Sequence, residues 1–180
     1  LNRKSISKLF TRKVIFFVCP EFINRAETQR WQEFFHNNLL RTENCEDPRI
    51  SEAVRPASWE ELKELVSLGH TIGSHTMNHA RLSEISSQKD LEKEIIGSAE
   101  IIEDKLGVKV DMIAYPFGNI QSIDERAMKV IGKRYRYCFS GLRGNNDARS
   151  EQILQWRDTI HFPWSEDYIS FLLRGGFDWY

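Results

Sequence analysis

The residues best suited to chemistry are two histidines four positions apart, in Ser74-His75-Thr76-Met77-Asn78-His79. If that stretch coils as a helix, positions i and i+4 share a face, so both imidazoles reach one cation. Neutral imidazole suits Zn²⁺ and its borderline neighbours, and a catalytic zinc site holds three protein ligands and leaves one position open for water. The zinc-protease pattern is excluded, because it needs Glu directly after the first His as general base and Thr76 stands there. Of the other histidines, His70 reads as a strand-edge residue and His36 as a solvent-facing position on a helix; His161 is the late one.

The elements that position the pair follow from hydrophobic periodicity. Lys13 to Cys19 is a short, continuous apolar run closed by Pro20, the pattern of a strand buried on both faces in a parallel sheet. Residues 27–40 are amphipathic and read as a helix. Ser58 with Glu61 forms a capping box ahead of the apolar face Trp59, Leu62, Leu65, Val66 and Leu68, and Gly69 stops that helix. His70 to Ser74 is a strand-like step that delivers His75. Asp90 to Leu106 is the clearest helix, with Gly107 just beyond its end. Val108 to Ala114, Tyr135 to Phe139 and Ile153 to Ile160 read as strands; Ser122 to Ile131 and Glu166 to Leu173 read as helices. Residues 41–57, polar and carrying Asp47-Pro48 and Arg55-Pro56, read as an insertion or long loop within a single domain spanning 1–180. Strands alternating with helices predict an α/β fold with a parallel sheet or barrel, in which chemistry gathers at the carboxyl ends of the strands.

Composition narrows the partners. In 180 residues, 25 Lys+Arg against 26 Asp+Glu leave a net charge of −1, without the cation excess that broad capture of nucleic acid or an anionic membrane requires. With 41% hydrophobic residues the chain reads as an ordinary globule, and no apolar run approaches the ~20 residues of a membrane span. Cys19, Cys45 and Cys138 are too few and too odd in number for a disulfide framework, which favours a reducing compartment. Cys19 and Cys138 read as small buried residues. Lys133 to Tyr137 reads as a solvated helix end running into a strand. Trp156, Trp164 and Trp179 read as core or rim packing, with sugar stacking as the alternative.

The run Gly69 to His79 followed by Leu82 resembles the second motif of the polysaccharide deacetylases, the NodB-homology family (carbohydrate esterase family 4): a His, a Ser or Thr, two free positions and a His. Ala114-Tyr115-Pro116-Phe117-Gly118-Asn119 resembles the third motif, one wall of the groove. Val14 to Val18 resembles the strand after the first motif, and the helix with Trp59-Glu60-Glu61-Leu62 the one before the histidine motif. Gln155 to His161, with Phe171-Leu172 and Gly175, resembles the carboxyl end of one branch. The resemblance runs from about Lys13 to Phe177.

It implies a distorted (β/α) barrel, N-terminally truncated, and metal-dependent hydrolysis of N-acetyl groups on a sugar or polysaccharide. His75 and His79 match the metal-binding histidines, with Zn²⁺ as the implied metal. The metal would polarise the acetyl carbonyl and lower the pKa of its bound water. Phe117 matches the residue whose backbone N–H faces the developing oxyanion, and Tyr115 and Pro116 would shape the groove. Three features depart from the pattern. The opening strand with paired aspartates, one the general base and the other a metal ligand, has no match in Leu1 to Thr11. Ala114 stands where an Arg is common, with Arg157 a cation from another strand. No late Leu-x-His motif is evident. Arg157 and Asp158 read either as a plain ion pair or as supports behind the site. The chain alone is therefore expected to be weak or inactive unless another segment supplies aspartates. The competing readings are a non-catalytic carbohydrate-binding barrel and an amidohydrolase acting on a small non-sugar amide.

Overall fold

The computed structural model describes residues 13–26, 28, 30–40, 55–146, 153–158 and 165–173. Cys45, His161, Trp164, Trp179 and all but the last three residues of the 41–57 segment lie outside these.

Five strands, β1 (Ile15–Val18), β2 (Thr71–Ser74), β3 (Met112–Ala114), β4 (Tyr137–Phe139) and β5 (Leu154–Gln155), form one parallel sheet in chain order. The register pairs Val18 with Ser74, Ser74 with Ile113, Ala114 with Phe139 and Phe139 with Gln155. The carboxyl ends therefore line up along one edge, and the residues that follow them share it: Cys19, His75, Tyr115, Ser140 and Trp156. Ile72, Ile113 and Cys138 supply the buried strand layer. Leu62, Leu65, Leu91, Ile95, Ile102, Val130 and Ile131 cover it from the helices in one continuous core. Among the described residues no helix is long and apolar enough to cross a membrane.

Pro20 ends β1 and also opens α1 (Pro20–Ala26), a helix the periodicity did not suggest. Pro suits a first helical position, because the N–H it lacks would be unsatisfied there. The amphipathic 27–40 stretch becomes α2 (Trp31–Phe34) running into a six-residue π-helical turn, Phe35–Leu40. The capping box is present at α3 (Trp59–Ser67), with Ser58 accepting from the Glu61 N–H and Glu61 from the Ser58 N–H. Gly69 follows with φ +83. The clear helix from the sequence is one rod with a defect: α4 (Gln88–Glu92), a π turn (Lys93–Gly97) and α5 (Ser98–Leu106). Gly107 ends it in the left-handed region, φ +66.

All five strands are shorter than expected, β3 and β5 most of all. β3 begins at Met112 rather than Val108, because side chains occupy the Val110 backbone: Glu103 accepts its N–H at 2.8 Å and Arg134 donates to its carbonyl at 2.9 Å. The last strand is only Leu154–Gln155, with residues 159 and 160 outside the described set. The remaining helices are α6 (Glu125–Arg134), capped by the Asp124 side chain, and α7 (Glu166–Leu173).

Candidate metal centre

His75 follows directly on β2 and is held from both neighbouring strands. Its N–H donates to the Val18 carbonyl at 2.8 Å, and the Cys19 thiol lies 3.1 Å from its own carbonyl. Its ring Nδ1 lies 2.6 Å from the Ala114 carbonyl at the end of β3. A carbonyl only accepts, so Nδ1 carries the proton and Nε2 the lone pair.

His79 is fixed in the same way from elsewhere. Its Nδ1 lies 3.0 Å from the Asn38 carbonyl, in the π turn after α2, and the Asn38 amide donates to the Asn78 carbonyl at 2.9 Å. The two rings meet edge to face with centroids 4.9 Å apart. They do not meet on a helix. Residues 75–79 form an irregular loop in which Thr76 and His79 take left-handed backbone, φ +65 and +58. The expected helical coil is thus corrected: the pair converges because the chain turns back on itself.

Among the described residues Thr76, His79 and Phe117 are the non-glycine positions with positive φ, and all three lie in the two loops of this site. Such backbone is costly for a β-branched or bulky residue and persists where the surroundings over-determine it. The Phe117 ring lies 5.0 Å from the His79 ring and 4.6 Å from the Arg81 guanidinium. Arg81 also donates to the Ser122 hydroxyl at 2.7 Å, and Ser83 to the Gln121 carbonyl at 2.5 Å, tying the histidine loop to the Phe117 loop. Beneath, Tyr115 is buried and its hydroxyl donates to the Gly118 carbonyl at 2.9 Å. Pro116 is buried as well. Both therefore shape the loop from below. Gly118 (φ +67) abuts Gly141 so closely that a Cβ on it would lie 2.6 Å from the Gly141 nitrogen.

Arg157 arrives from the end of β5. Its Nε donates to the Ser140 carbonyl at 2.6 Å, and its guanidinium lies 5.5 Å from the Phe17 ring centroid and 5.7 Å from that of Phe139. Its charge reaches His75. Burial holds the His75 pKa down to about 4, with repulsion from His79 and Arg157 acting in the same direction and the Ala114 bond against it. Burial lowers Arg157 too, and pushes Tyr115 up to about 12. Asp158 does not pair with Arg157; it lies 3.4 Å from Arg143.

The other histidines stand apart. His70 is buried, its Nδ1 3.4 Å from the Val14 N–H, which joins β1 to the start of β2. His36 is not solvent-facing as expected: it is half-buried, edge-on to Phe35, with a buried Nδ1. Trp156 exchanges backbone bonds with the Asn146 side chain.

A metal-binding imidazole must be neutral, and usually donates its other N–H to a carbonyl or carboxylate that orients it. His75 and His79 meet the second condition, and the depressed pKa of His75 meets the first. The pair therefore fits a divalent cation as two of its ligands. Among the described residues no group of three or more His, Cys, Asp or Glu completes the set. Sequence reading missed Asn38 and Glu94, which holds Asn78 through both carboxylate oxygens. The one available signal for Glu94 was its place three residues after Leu91, on the buried side of the helix.

A family model described as polysaccharide deacetylase matches residues 6–136. A polysaccharide deacetylase from Bacillus cereus is 28% identical with a TM-score of 0.56, over 64% of this chain and 36% of that one. A putative polysaccharide deacetylase from Bacillus anthracis is 25% identical with a TM-score of 0.57, over 66% and 37%. A de-N-acetylase from Aggregatibacter actinomycetemcomitans, 16% identical, shares the fold with a TM-score of 0.63 over 94% and 68%. The chain thus spans little more than a third of the two Bacillus proteins. Among curated proteins there is no significant match.

Proposed function

The chain belongs to the polysaccharide deacetylase family, and on that premise we propose that it is built to hydrolyse N-acetyl groups on a sugar or polysaccharide at the His75–His79 site. One observation carries this reading: two imidazoles 4.9 Å apart, each with Nδ1 anchored to a carbonyl, lie at the carboxyl edge of a parallel sheet. His75 and His79 would hold a divalent cation, with Zn²⁺ the expected one. That cation would supply Lewis-acid polarisation of the acyl oxygen.

The rest is done by the chain. Phe117 offers its backbone N–H to the acyl oxygen as negative charge builds there, a donor positioned in advance by the Tyr115 and Gly118 contacts beneath it. Arg157 adds a fixed positive charge felt at His75. The Phe117 ring walls the approach, with the buried Pro116 beneath it. Asp158 is left out, since its partner is Arg143. A carbohydrate-binding role without turnover is the second reading. It is favoured by the lack, among the described residues, of a carboxylate completing the imidazole pair.

The test is acetate release from N-acetylglucosamine oligomers, measured with chelator and with added Zn²⁺. Release that rises with Zn²⁺ and vanishes in His75→Ala supports hydrolysis. Oligosaccharide binding with no acetate at any Zn²⁺ concentration overturns it in favour of the binding reading.

A further inference from the structure

Glu94 is a buried carboxylate, 8% exposed, in the π turn between α4 and α5. Its Oε2 accepts the Asn78 backbone N–H at 2.9 Å and its Oε1 the Asn78 amide at 2.7 Å. Its backbone carbonyl accepts the Met77 N–H at 3.0 Å. Three donors from two adjacent loop residues therefore end on one helix residue. A buried charge is tolerated only when hydrogen-bonded, and both Glu94 oxygens spend that capacity on the histidine loop.

The grip passes onward. Asn78, held by Glu94, accepts the Asn38 amide at 2.9 Å, and Asn38 in turn accepts the His79 Nδ1–H at 3.0 Å. A π turn is a frequent companion of functional sites, and here two of them, 35–40 and 93–97, meet on the same loop. His75 is fixed differently, by Val18 and Ala114.

We infer that Glu94 is a positioning residue that sets the orientation of His79 through Asn78 and Asn38, and so the geometry of the imidazole pair. The metal part of this inference rests on the proposed function; the orientation of His79 does not.

The experiment uses the full chain with ¹⁵N-labelled histidine, free of metal and then titrated with Zn²⁺. In the unchanged chain both rings hold the Nδ1–H tautomer. Glu94→Gln removes one acceptor and sets an amide N–H against a donor of Asn78. His79 is expected to shift to a mixture of tautomers while His75 keeps its signal, and Zn²⁺ affinity falls roughly tenfold or more. Ile102→Val, in the same rod and away from the loop, is the destabilised control and leaves both rings and the affinity unchanged. Unaltered His79 signals in Glu94→Gln overturn the inference. If that variant does not fold, Asn78→Ala takes its place, with the same shift expected in smaller measure and an unaltered His79 again decisive. Should even the unchanged chain bind no Zn²⁺, the metal reading fails while the His79 tautomer still decides the role of Glu94.

Discussion

Asn38 contacts the histidine loop twice: its carbonyl accepts the Nδ1–H of His79 at 3.0 Å, and its amide donates to the carbonyl of Asn78 at 2.9 Å. The His79 ring is thus aimed from a part of the chain some forty residues earlier, which gives it a defined direction before any ligand arrives.

Removing either imidazole should therefore abolish metal binding rather than weaken it. His75→Ala and His79→Ala are each expected to lose more Zn²⁺ affinity than the roughly 10–100-fold typical of losing an outer hydrogen-bond partner. Competition against a chromophoric chelator measures this. Unchanged affinity in either variant removes that residue from the metal site.

Acidification should destabilise the fold through His75. Its folded pKa of about 4 lies below its ordinary 6.5, so the unfolded chain takes up the proton first. Stability is full above about pH 6.5 and falls toward pH 4, at a limiting rate of about 1.4 kcal/mol per pH unit from this group. Urea unfolding at pH 7 and pH 5, compared between the unchanged chain and His75→Gln, isolates the contribution. An equal acid loss in both places the effect elsewhere.

Arg157 should depress the His75 pKa in solution. Arg157→Met is expected to raise it, by an amount smaller than the part set by burial, in an NMR titration of the ring. No change, or a fall, would separate Arg157 from the site.

Two glycines with nearly equal φ should respond differently to alanine. Gly107 has φ +66 and open space around its missing Cβ, so Gly107→Ala should cost roughly 1–2 kcal/mol of backbone strain. Gly118 has φ +67 and the Gly141 backbone in the way, so overpacking adds roughly 1–3 kcal/mol to the same strain. Chemical denaturation gives both values. Equal losses would show that the two loops part easily.

The framework of the site was legible because local rules and tertiary structure agree there. Ser58 and Glu61 cap a helix as their spacing demands, and β2 delivers His75 to the sheet edge. The shape of the loop was not legible. Four-residue spacing suggested a helix, whereas Thr76 and His79 adopt left-handed backbone, which a β-branched residue such as Thr rarely takes. The loop is held at Asn78 and His79 by Glu94 and Asn38, which lie 16 and 41 residues from their loop partners. No window of local sequence contains both ends of such a contact. Glu94 was hidden for a related reason: a charged residue in an amphipathic helix reads as solvated, and its place three residues after Leu91 was the one sign that it turns inward. The early start expected for β3 failed because Glu103 and Arg134 capture the Val110 backbone from two different helices.

Each strand of the sheet lies beside the one made just before it. A chain emerging from the ribosome can therefore add them at a single growing edge, each new βα unit templated by its predecessor, with no earlier pairing to reopen. His79 is synthesised after Asn38 but before Glu94, so its loop waits for the helix behind it, and the brace on Asn78 is laid only when that helix docks.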